Sequence, residues 1–431
     1  MKIRSRFFLV AAGFVAVAAI RAVGSDAFAN YPWIDYDHPA VAYSKRALSD
    51  PVSVLQQKLK AGEMTLRYDR RWGYLPDLLR HLDINTDSQM LVFSKTSFQA
   101  ALISPARPRA VYFRDGVYVG SVQDGEILEI ISLDPEQAVQ FYTLDVHESA
   151  HPMFVRRDMA CLQCHSSPAT LNVPGLLVTS SYTGTDGIPA FRGAQEITDH
   201  RTPLSERWGG WYVTGTSGRL EHRGNAVAPD QSRPTELDTS DSHNLTSLKR
   251  KIDPVHYLEP TSDIVALMTL EHQTRMTNLL TRFSWETRIA IGEGKVDDFS
   301  KRLEADADEL VAYLLFADEA KIEDPIAGVS TFTKTFPARG PHDHLGRSLR
   351  DLDLRRRLFR YPLSYMIYSE DFDRMPDLLR DRVYRKLYEV LAGRDQSPAF
   401  VRITADDRRN IMEILLDTKP NLPAWWRRTT E

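Results

Sequence analysis

The chain has 431 residues, of which 42% are hydrophobic and 26% are charged. This composition is typical of a globular protein and excludes a wholly disordered chain. The formal net charge is -4 and no basic stripe or tail is present, so nucleic acid is not expected as a partner. Only two cysteines occur, which excludes a scaffold held together by many disulfides.

The first 29 residues have the pattern of an export signal. Three basic residues, Lys2, Arg4 and Arg6, precede an apolar run over 7–20, and residues 27–29 read Ala-Phe-Ala, an A-x-A cleavage pattern. The run is shorter than the roughly 20 residues that span a bilayer. We therefore expect a cleaved signal peptide, a periplasmic or otherwise exported protein, and no transmembrane span in the mature chain. An uncleaved membrane anchor is the alternative.

Residues 30–225 are expected to form a β-rich domain after a first helix near 51–61. The segments 110–113 and 117–119 flank Arg114-Asp115-Gly116, which predicts a hairpin closed by an Asp-Gly turn. Further segments rich in β-branched and aromatic residues predict strands within 89–104, 127–132, 138–144, 176–182 and 211–216.

Both cysteines belong to one motif, Cys161-Leu162-Gln163-Cys164-His165. The pattern C-x-x-C-H is typical of c-type haem attachment. Two thiols at this spacing add to the two vinyl groups on one edge of the porphyrin, and the histidine that follows ligates the iron. We therefore expect one covalent haem c, attached through Cys161 and Cys164, with His165 as the proximal iron ligand. Such attachment takes place outside the cytoplasmic membrane, in agreement with the export signal.

The motif has three other interpretations. A redox-active C-x-x-C pair requires a thioredoxin-like βαβ context, which the flanking sequence does not predict. A zinc site requires further ligands, commonly a second Cys/His pair. A structural disulfide between Cys161 and Cys164 leaves His165 unexplained.

Beyond the β-rich part, residues 226–253 are rich in Pro, Ser, Thr and Asp and predict a linker or long loop. Residues 254–431 are expected to form a mostly helical domain. Its first helix is expected to have Ser262 as N-cap, and further helices are predicted at 295–316, 351–368, 378–392 and 406–417. The expected fold class is thus α+β, a β-rich haem-bearing domain followed by a mostly helical C-terminal domain.

The sixth position on the iron is filled by His or Met in many electron-transfer cytochromes and is open in many catalytic or sensor haems. Our candidate distal ligand is His272, which shares a helix face with Met268 and Met276 through i, i+4, i+8 spacing. Either methionine, or His222, is an alternative ligand. The structural alternative for His272 is a hydrogen-bonded core histidine.

Cationic and aromatic residues near the motif are candidates to surround the haem. Arginine suits the propionates because its guanidinium binds carboxylates in a bidentate way. The candidates for the propionates are Arg156, Arg157, Arg192 and Arg207, and those for the walls of the haem site are Trp208, Trp211 and Tyr212.

Several phrases of the sequence occur together: FSKTS at 93–97, PRAVYF at 108–113, VYVG at 117–120, RWGGWYVTGT at 207–216, and the helix at 262–275. With the single C-x-x-C-H, the chain resembles a bacterial family of exported proteins described as cytochrome c domain-containing, over most of residues 85–420. The resemblance implies haem binding and electron transfer, carried here by Cys161, Cys164 and His165, and no particular substrate. The β-rich run before Cys161 is also loosely similar to single-haem Cache/PAS-type sensor domains.

Together these features predict a periplasmic mono-haem c-type cytochrome that performs one-electron transfer with a redox partner protein that the sequence does not identify. Two alternatives stay open. One is a haem enzyme of peroxidase or oxygenase type with an open distal site, suggested by a mature chain far longer than electron carriage requires. The other is a haem-based sensor. Motifs of other enzyme classes, such as G-x-S-x-G or a Walker loop, are absent from the sequence.

Overall fold

The computed structural model describes residues 31–190 and 196–428. The predicted signal peptide over 1–29 and the propionate candidate Arg192 lie outside these residues. The described residues contain both a large antiparallel sheet and many helices, so the expected mixture of α and β structure is confirmed. Among them, no helix combines the length and the apolar character that crossing a bilayer requires.

The described part of the chain contains nine strands: β1 Met90–Val92, β2 Arg109–Arg114, β3 Val117–Ser121, β4 Ile127–Asp134, β5 Ala138–Asp145, β6 Phe154–Arg156, β7 Thr179–Ser180, β8 Glu196–Ile197 and β9 Trp211–Tyr212. Seven of them form one antiparallel sheet in the order β6-β5-β4-β3-β2-β1-β9. The other two, β7 and β8, pair separately. The sheet is thus a meander from β1 to β6, and β9 pairs with β1 as the edge strand on that side.

The predicted hairpin is confirmed. Arg114 pairs with Val117 at the end of β2 and β3, and Gly116 adopts a positive φ of 73° in the turn between them. The strands predicted at 176–182 and 211–216 shorten to β7 and β9. After β9 the chain leaves the sheet, because Thr214 and Thr216 form single bridges to Asp263 and Ala327 instead of a continuous ladder.

The same described residues form ten α-helices: α1 Pro51–Lys60, α2 Leu75–His81, α3 Asp158–His165, α4 Ile264–Gly292, α5 Val296–Leu314, α6 Phe332–Ala338, α7 Glu370–Asp373, α8 Asp377–Leu391, α9 Ala405–Thr418 and α10 Trp425–Arg428. The helices predicted near 51–61, 295–316, 378–392 and 406–417 are confirmed as α1, α5, α8 and α9. The segment 226–253 has no helix or strand, as expected for a long loop.

The predicted N-cap of the long helix α4 is wrong by one residue. Asp263 is the cap, and its carboxylate accepts a hydrogen bond of 2.8 Å from the backbone N–H of Val265. Ser262 is used elsewhere, since its hydroxyl accepts from the N–H of Leu91 and donates to the carbonyl of Tyr212. Ser262 therefore ties the start of α4 to two neighbouring sheet strands.

The helix predicted at 351–368 is also wrong. Only Tyr365–Tyr368 forms a short 3₁₀ turn, and the preceding segment is irregular. One reason is that the backbone there has other partners: the N–H of Leu358 donates to the side chain of Glu319, and Leu352 and Phe359 pair with each other in an antiparallel bridge. One long-range bond and one bridge within the segment thus replace the hydrogen bonds that a helix needs.

The two faces of the sheet pack against different helices. One face, with Tyr112 and Ile130, shares an apolar cluster with α1 and α2. The other face, with Phe141, belongs to a larger cluster that also contains Leu279 of α4. Side chains from both sides of the predicted linker over 226–253 therefore meet in one core. This second face also carries the surroundings of the C-x-x-C-H motif.

Candidate functional site

Helix α3 carries the whole C-x-x-C-H motif. Residues three and four apart lie on one face of an α-helix, so the side chains of Cys161, Cys164 and His165 share a face. The two sulfur atoms are not bonded to each other. Cys164 is exposed, whereas Cys161 is half-buried against the core, and burial raises the pKa of its thiol to about 11.

The imidazole of His165 is oriented by one backbone carbonyl. Its Nδ1 lies 2.8 Å from the oxygen of Gly175. A carbonyl oxygen only accepts, so Nδ1 carries the hydrogen and Nε2 keeps its lone pair. Burial lowers the pKa of His165, which favours this neutral form. Histidines that ligate metals commonly donate their other ring N–H in this way.

The segment that holds Gly175 is in turn fixed by the long helix. Asn278 of α4 accepts from the N–H of Leu176 and donates to the carbonyl of Leu176, both at 2.8 Å. A Cβ at Gly175 would lie 2.6 Å from the Asn278 side-chain oxygen, so this close approach requires glycine. The orientation of His165 therefore depends on a contact between two segments more than 100 residues apart.

The sheet face next to the motif supplies an aromatic ring and an ion pair. Phe141 of β5 has its ring centroid 5.0 Å from that of His165. On the same face, Arg109 of β2 and Glu129 of β4 form an ion pair of 2.9 Å. After burial and the Gly175 hydrogen bond, the charges of Arg109 and Glu129 are the next influences on the pKa of His165.

Large apolar side chains are exposed close to the motif along the chain. Met159, two residues before Cys161, is 83% exposed, and Met153 and Val155 are also exposed. Removing such apolar surface from water under a bound group or a partner is favourable. The motif thus offers two thiols that are not bonded to each other and an imidazole whose Nε2 keeps its lone pair. Together with the exposed apolar side chains nearby in the chain, this set fits a covalently attached haem.

A zinc site at the motif lacks support. Within 31–190 and 196–428, no group of three or more His, Cys, Asp or Glu side chains is arranged to hold a metal ion. In that part of the chain the two cysteines are therefore not joined by a third side chain of these types in an arrangement that could hold a metal ion.

His272 lies in the core with both ring nitrogens engaged. Its Nδ1 is 2.8 Å from Nδ1 of His200, and its Nε2 is 2.6 Å from the hydroxyl oxygen of Ser364. The ring stacks on Tyr313 with an interplanar angle of 6°, and burial lowers the pKa of His272 to about 3. Iron ligation by His272 would break one of these hydrogen bonds. The geometry favours the core-histidine interpretation, and the distal role stays a prediction.

The other candidates for the sixth ligand are also buried. Met268 and Met276 belong to the main apolar cluster. His222 is buried edge-on to Trp208 and His243, at 5.2 Å from each ring. Among the described residues, these contacts do not single out a distal ligand.

The candidate propionate ligands have partners of their own. Arg207 forms a buried ion pair of 2.9 Å with Glu271 and is 2% exposed at its side chain. Arg156 pairs with Asp158 at 2.9 Å, and Arg157 donates to the hydroxyl of Thr143. Trp211, proposed as part of a haem wall, donates its indole N–H to the carbonyl of Thr179.

Sequence reasoning missed five residues of this arrangement: Gly175, Asn278, Phe141, Arg109 and Glu129. Glu129 left one signal, because it is the only charged residue in the otherwise apolar run 127–131. Gly175 left no such signal, since every residue carries a backbone carbonyl and the residue type does not show which one will bind His165. Comparison of the chain with protein-family models, with curated proteins and with solved structures gave no match. Its function is therefore argued from the site itself.

Proposed function

We propose that this protein is an exported mono-haem c-type cytochrome that transfers single electrons in the periplasm or a similar compartment. The main support is the hydrogen bond from His165 Nδ1 to the Gly175 carbonyl, on the helix face that also carries Cys161 and Cys164. When bound, haem c supplies a one-electron iron couple whose potential depends on its ligands and surroundings.

Each residue of the motif has one task in this proposal. Cys161 and Cys164 would hold the haem through two C–S bonds, with each thiol hydrogen transferred to the neighbouring carbon of the vinyl group to which its sulfur adds. His165 would offer its Nε2 lone pair to the iron. Gly175 holds the required tautomer, and Asn278 holds the segment of Gly175.

The exposure of Cys164 indicates where a redox partner protein would approach the cofactor. Because Cys164 is exposed, a cofactor attached through it would be within reach of a redox protein at the surface. Such a partner would give or take the electron, and no substrate would be chemically changed. A chain whose signal is not cleaved would carry out the same exchange from a membrane anchor.

Both ring nitrogens of His272 are already hydrogen-bonded, which favours an alternative function as a haem enzyme or haem-based sensor. If the iron has no strong sixth ligand, small molecules gain access to it, as in haem enzymes and haem-based sensors. This alternative shares the attachment chemistry of Cys161, Cys164 and His165. It differs only in the sixth position, so one spectroscopic measurement separates the two.

The attachment is tested by exporting the chain in a host that matures c-type cytochromes and extracting it with acidic organic solvent. In the unmodified protein the haem is expected to stay with the polypeptide. In the Cys161→Ser/Cys164→Ser variant, which retains His165, any haem is expected to be extracted. Complete extraction from the unmodified protein, or retention by the double variant, contradicts the proposal.

The sixth position is tested by optical spectra of the same protein, oxidised and reduced, with and without carbon monoxide. A low-spin spectrum that carbon monoxide does not change indicates a filled sixth position and supports electron transfer. A shift of the reduced spectrum on addition of carbon monoxide indicates an open or labile position and favours the enzyme or sensor.

A further inference from the structure

The sheet face beside the motif carries a charge pair that lies outside the motif itself. We propose that the charges of Arg109 and Glu129 both act on the iron held at His165, and that their pairing keeps their net influence on the balance between ferric and ferrous iron small. The inference rests on the proposed function and deepens it, because it assigns a role to residues outside the C-x-x-C-H motif.

Strand register places Glu129 beside the ring that contacts His165. Glu129 of β4 is directly opposite Thr143 of β5. Phe141 is two residues from Thr143 on the same strand, so its side chain projects from the same face. Since the Phe141 ring is 5.0 Å from the His165 ring, Glu129 is a diagonal neighbour of the residue that packs on the proximal ligand.

Arg109 reaches Glu129 across a glycine. The two residues lie on β2 and β4, which are separated by β3, and Gly120 of β3 is directly opposite Glu129. A Cβ added at Gly120 would lie 3.6 Å from the Arg109 Cδ and 3.6 Å from the Glu129 Cβ. The ion pair therefore lies directly over this glycine, in space that a larger residue would occupy.

The pair is held in place and partly shielded from water. Glu129 also accepts a hydrogen bond of 2.7 Å from the hydroxyl of Ser97. The side chains of Arg109 and Glu129 are 19% and 17% exposed. Charges in such a setting are screened less than charges at a free surface, so each acts over a longer distance.

The two charges act on the iron in opposite directions. Ferric iron carries one positive charge more than ferrous iron, so the Glu129 carboxylate stabilises the ferric state and the Arg109 guanidinium stabilises the ferrous state. Together they nearly cancel. Removal of either one leaves a net charge next to the proximal ligand and shifts the equilibrium in a predictable direction.

The test is the midpoint potential of the covalently loaded protein, measured by spectroelectrochemical titration at one pH. Glu129→Gln is expected to shift the equilibrium toward ferrous iron and Arg109→Gln toward ferric iron, each by about threefold to tenfold. The Arg109→Gln/Glu129→Gln variant is expected to return close to the original value. For one electron, a tenfold change corresponds to about 59 mV.

A matched control is available just beyond the start of β2 and the end of β3. Arg107 and Asp124 form an ion pair of 2.9 Å whose side chains are 53% and 63% exposed. Asp124→Asn removes one charge from this solvated pair and is expected to leave the potential unchanged. A shift as large as that of Glu129→Gln would show that the effect is not specific to the shielded pair.

The outcomes separate this inference from the proposed function. Loss of local packing would move both single variants in the same direction, and either that result or no shift overturns the role of the pair while the attached haem remains. If one single variant fails to mature, the other and the neutral double variant still decide the sign. Haem that is not covalently held by the unmodified protein overturns the proposed function and, with it, this inference.

Discussion

The Nδ1 atoms of His200 and His272 lie 2.8 Å apart inside the core. One of them must carry the hydrogen that the other accepts. Burial lowers the pKa of both imidazoles, so the pair is neutral, and the second nitrogen of His272 contacts the hydroxyl of Ser364. A candidate iron ligand thus forms part of a buried hydrogen-bond chain between α4 and the irregular segment before Tyr365.

This relationship gives the first prediction. His272→Ala should lower the free energy of unfolding by about 3 kcal/mol, because it leaves a cavity and removes the buried partners of His200 and Ser364. The ferric spectrum of the folded variant should be unchanged. Denaturant titration and an optical spectrum check both. A change from low spin to high spin in a folded variant would instead establish His272 as the distal ligand.

The second prediction concerns the segment that orients His165. Asn278→Ala removes both hydrogen bonds to Leu176 and should cost about 2 kcal/mol or more, since it leaves a buried N–H and a buried carbonyl unpaired. If the protein carries haem as proposed, the variant should also change the optical spectrum and the midpoint potential, because the Gly175 carbonyl is no longer fixed.

Asn225→Ala is the matched control for Asn278→Ala. Asn225 is equally buried and forms the same pair of bonds with Val213, at 2.7 and 2.8 Å, and its amide donates a third bond of 2.7 Å to the carbonyl of Ser242. Its loss should cost at least as much stability and leave the spectrum as it is. Equal spectroscopic effects of the two variants would mean that Asn278 acts only through general stability.

The third prediction concerns the buried ion pair of Arg207 and Glu271. Arg207→Met should destabilise the fold by about 3 to 5 kcal/mol, because it leaves the Glu271 carboxylate buried without its partner. The Arg207→Met/Glu271→Gln variant should recover part of the loss. Haem content per folded protein should be unchanged in both. Loss of haem from folded Arg207→Met would point to the propionate role expected from the sequence.

The fourth prediction is a pH dependence from Glu319. Burial raises the pKa of Glu319 to about 7, above the ordinary value near 4.3 of an exposed glutamate. The folded state then holds a proton that the unfolded state has lost, so this contribution to stability is full below about pH 4.3 and is lost as the pH rises through 7.

Glu319→Gln isolates this contribution, because glutamine keeps an oxygen to accept from the N–H of Leu358. The stability of the natural protein minus that of the variant should fall between pH 5 and pH 8, as measured by urea titration. A difference that is constant or rises with pH over this window would show that Glu319 is ionised in the folded protein at pH 5.

Local interactions and long-range contacts determine different parts of this fold. Local patterns predicted the hairpin around Gly116 and the helices α5, α8 and α9, since turn chemistry and helical periodicity act within a few residues. They failed at Ser262 and over 351–368, where backbone and hydroxyl groups bond to segments far away in the chain.

The candidate site divides in the same way. The spacing of Cys161, Cys164 and His165 is fixed by five consecutive residues, so the sequence by itself determined the attachment motif and the expectation of haem. The expectation of an export signal over residues 1–29 likewise comes from the sequence alone. These features depend on covalent chemistry and on local composition, and folding does not change them.

Only the tertiary structure decided what surrounds the motif. It brings the carbonyl of Gly175 to His165, the Arg109–Glu129 pair to the neighbouring sheet face, and the partners of His272 to both its ring nitrogens. A backbone carbonyl carries no sequence signal, and pairing across a sheet depends on the register between strands. Both follow from the packing of the whole chain, which is why neither was predictable from the residues alone.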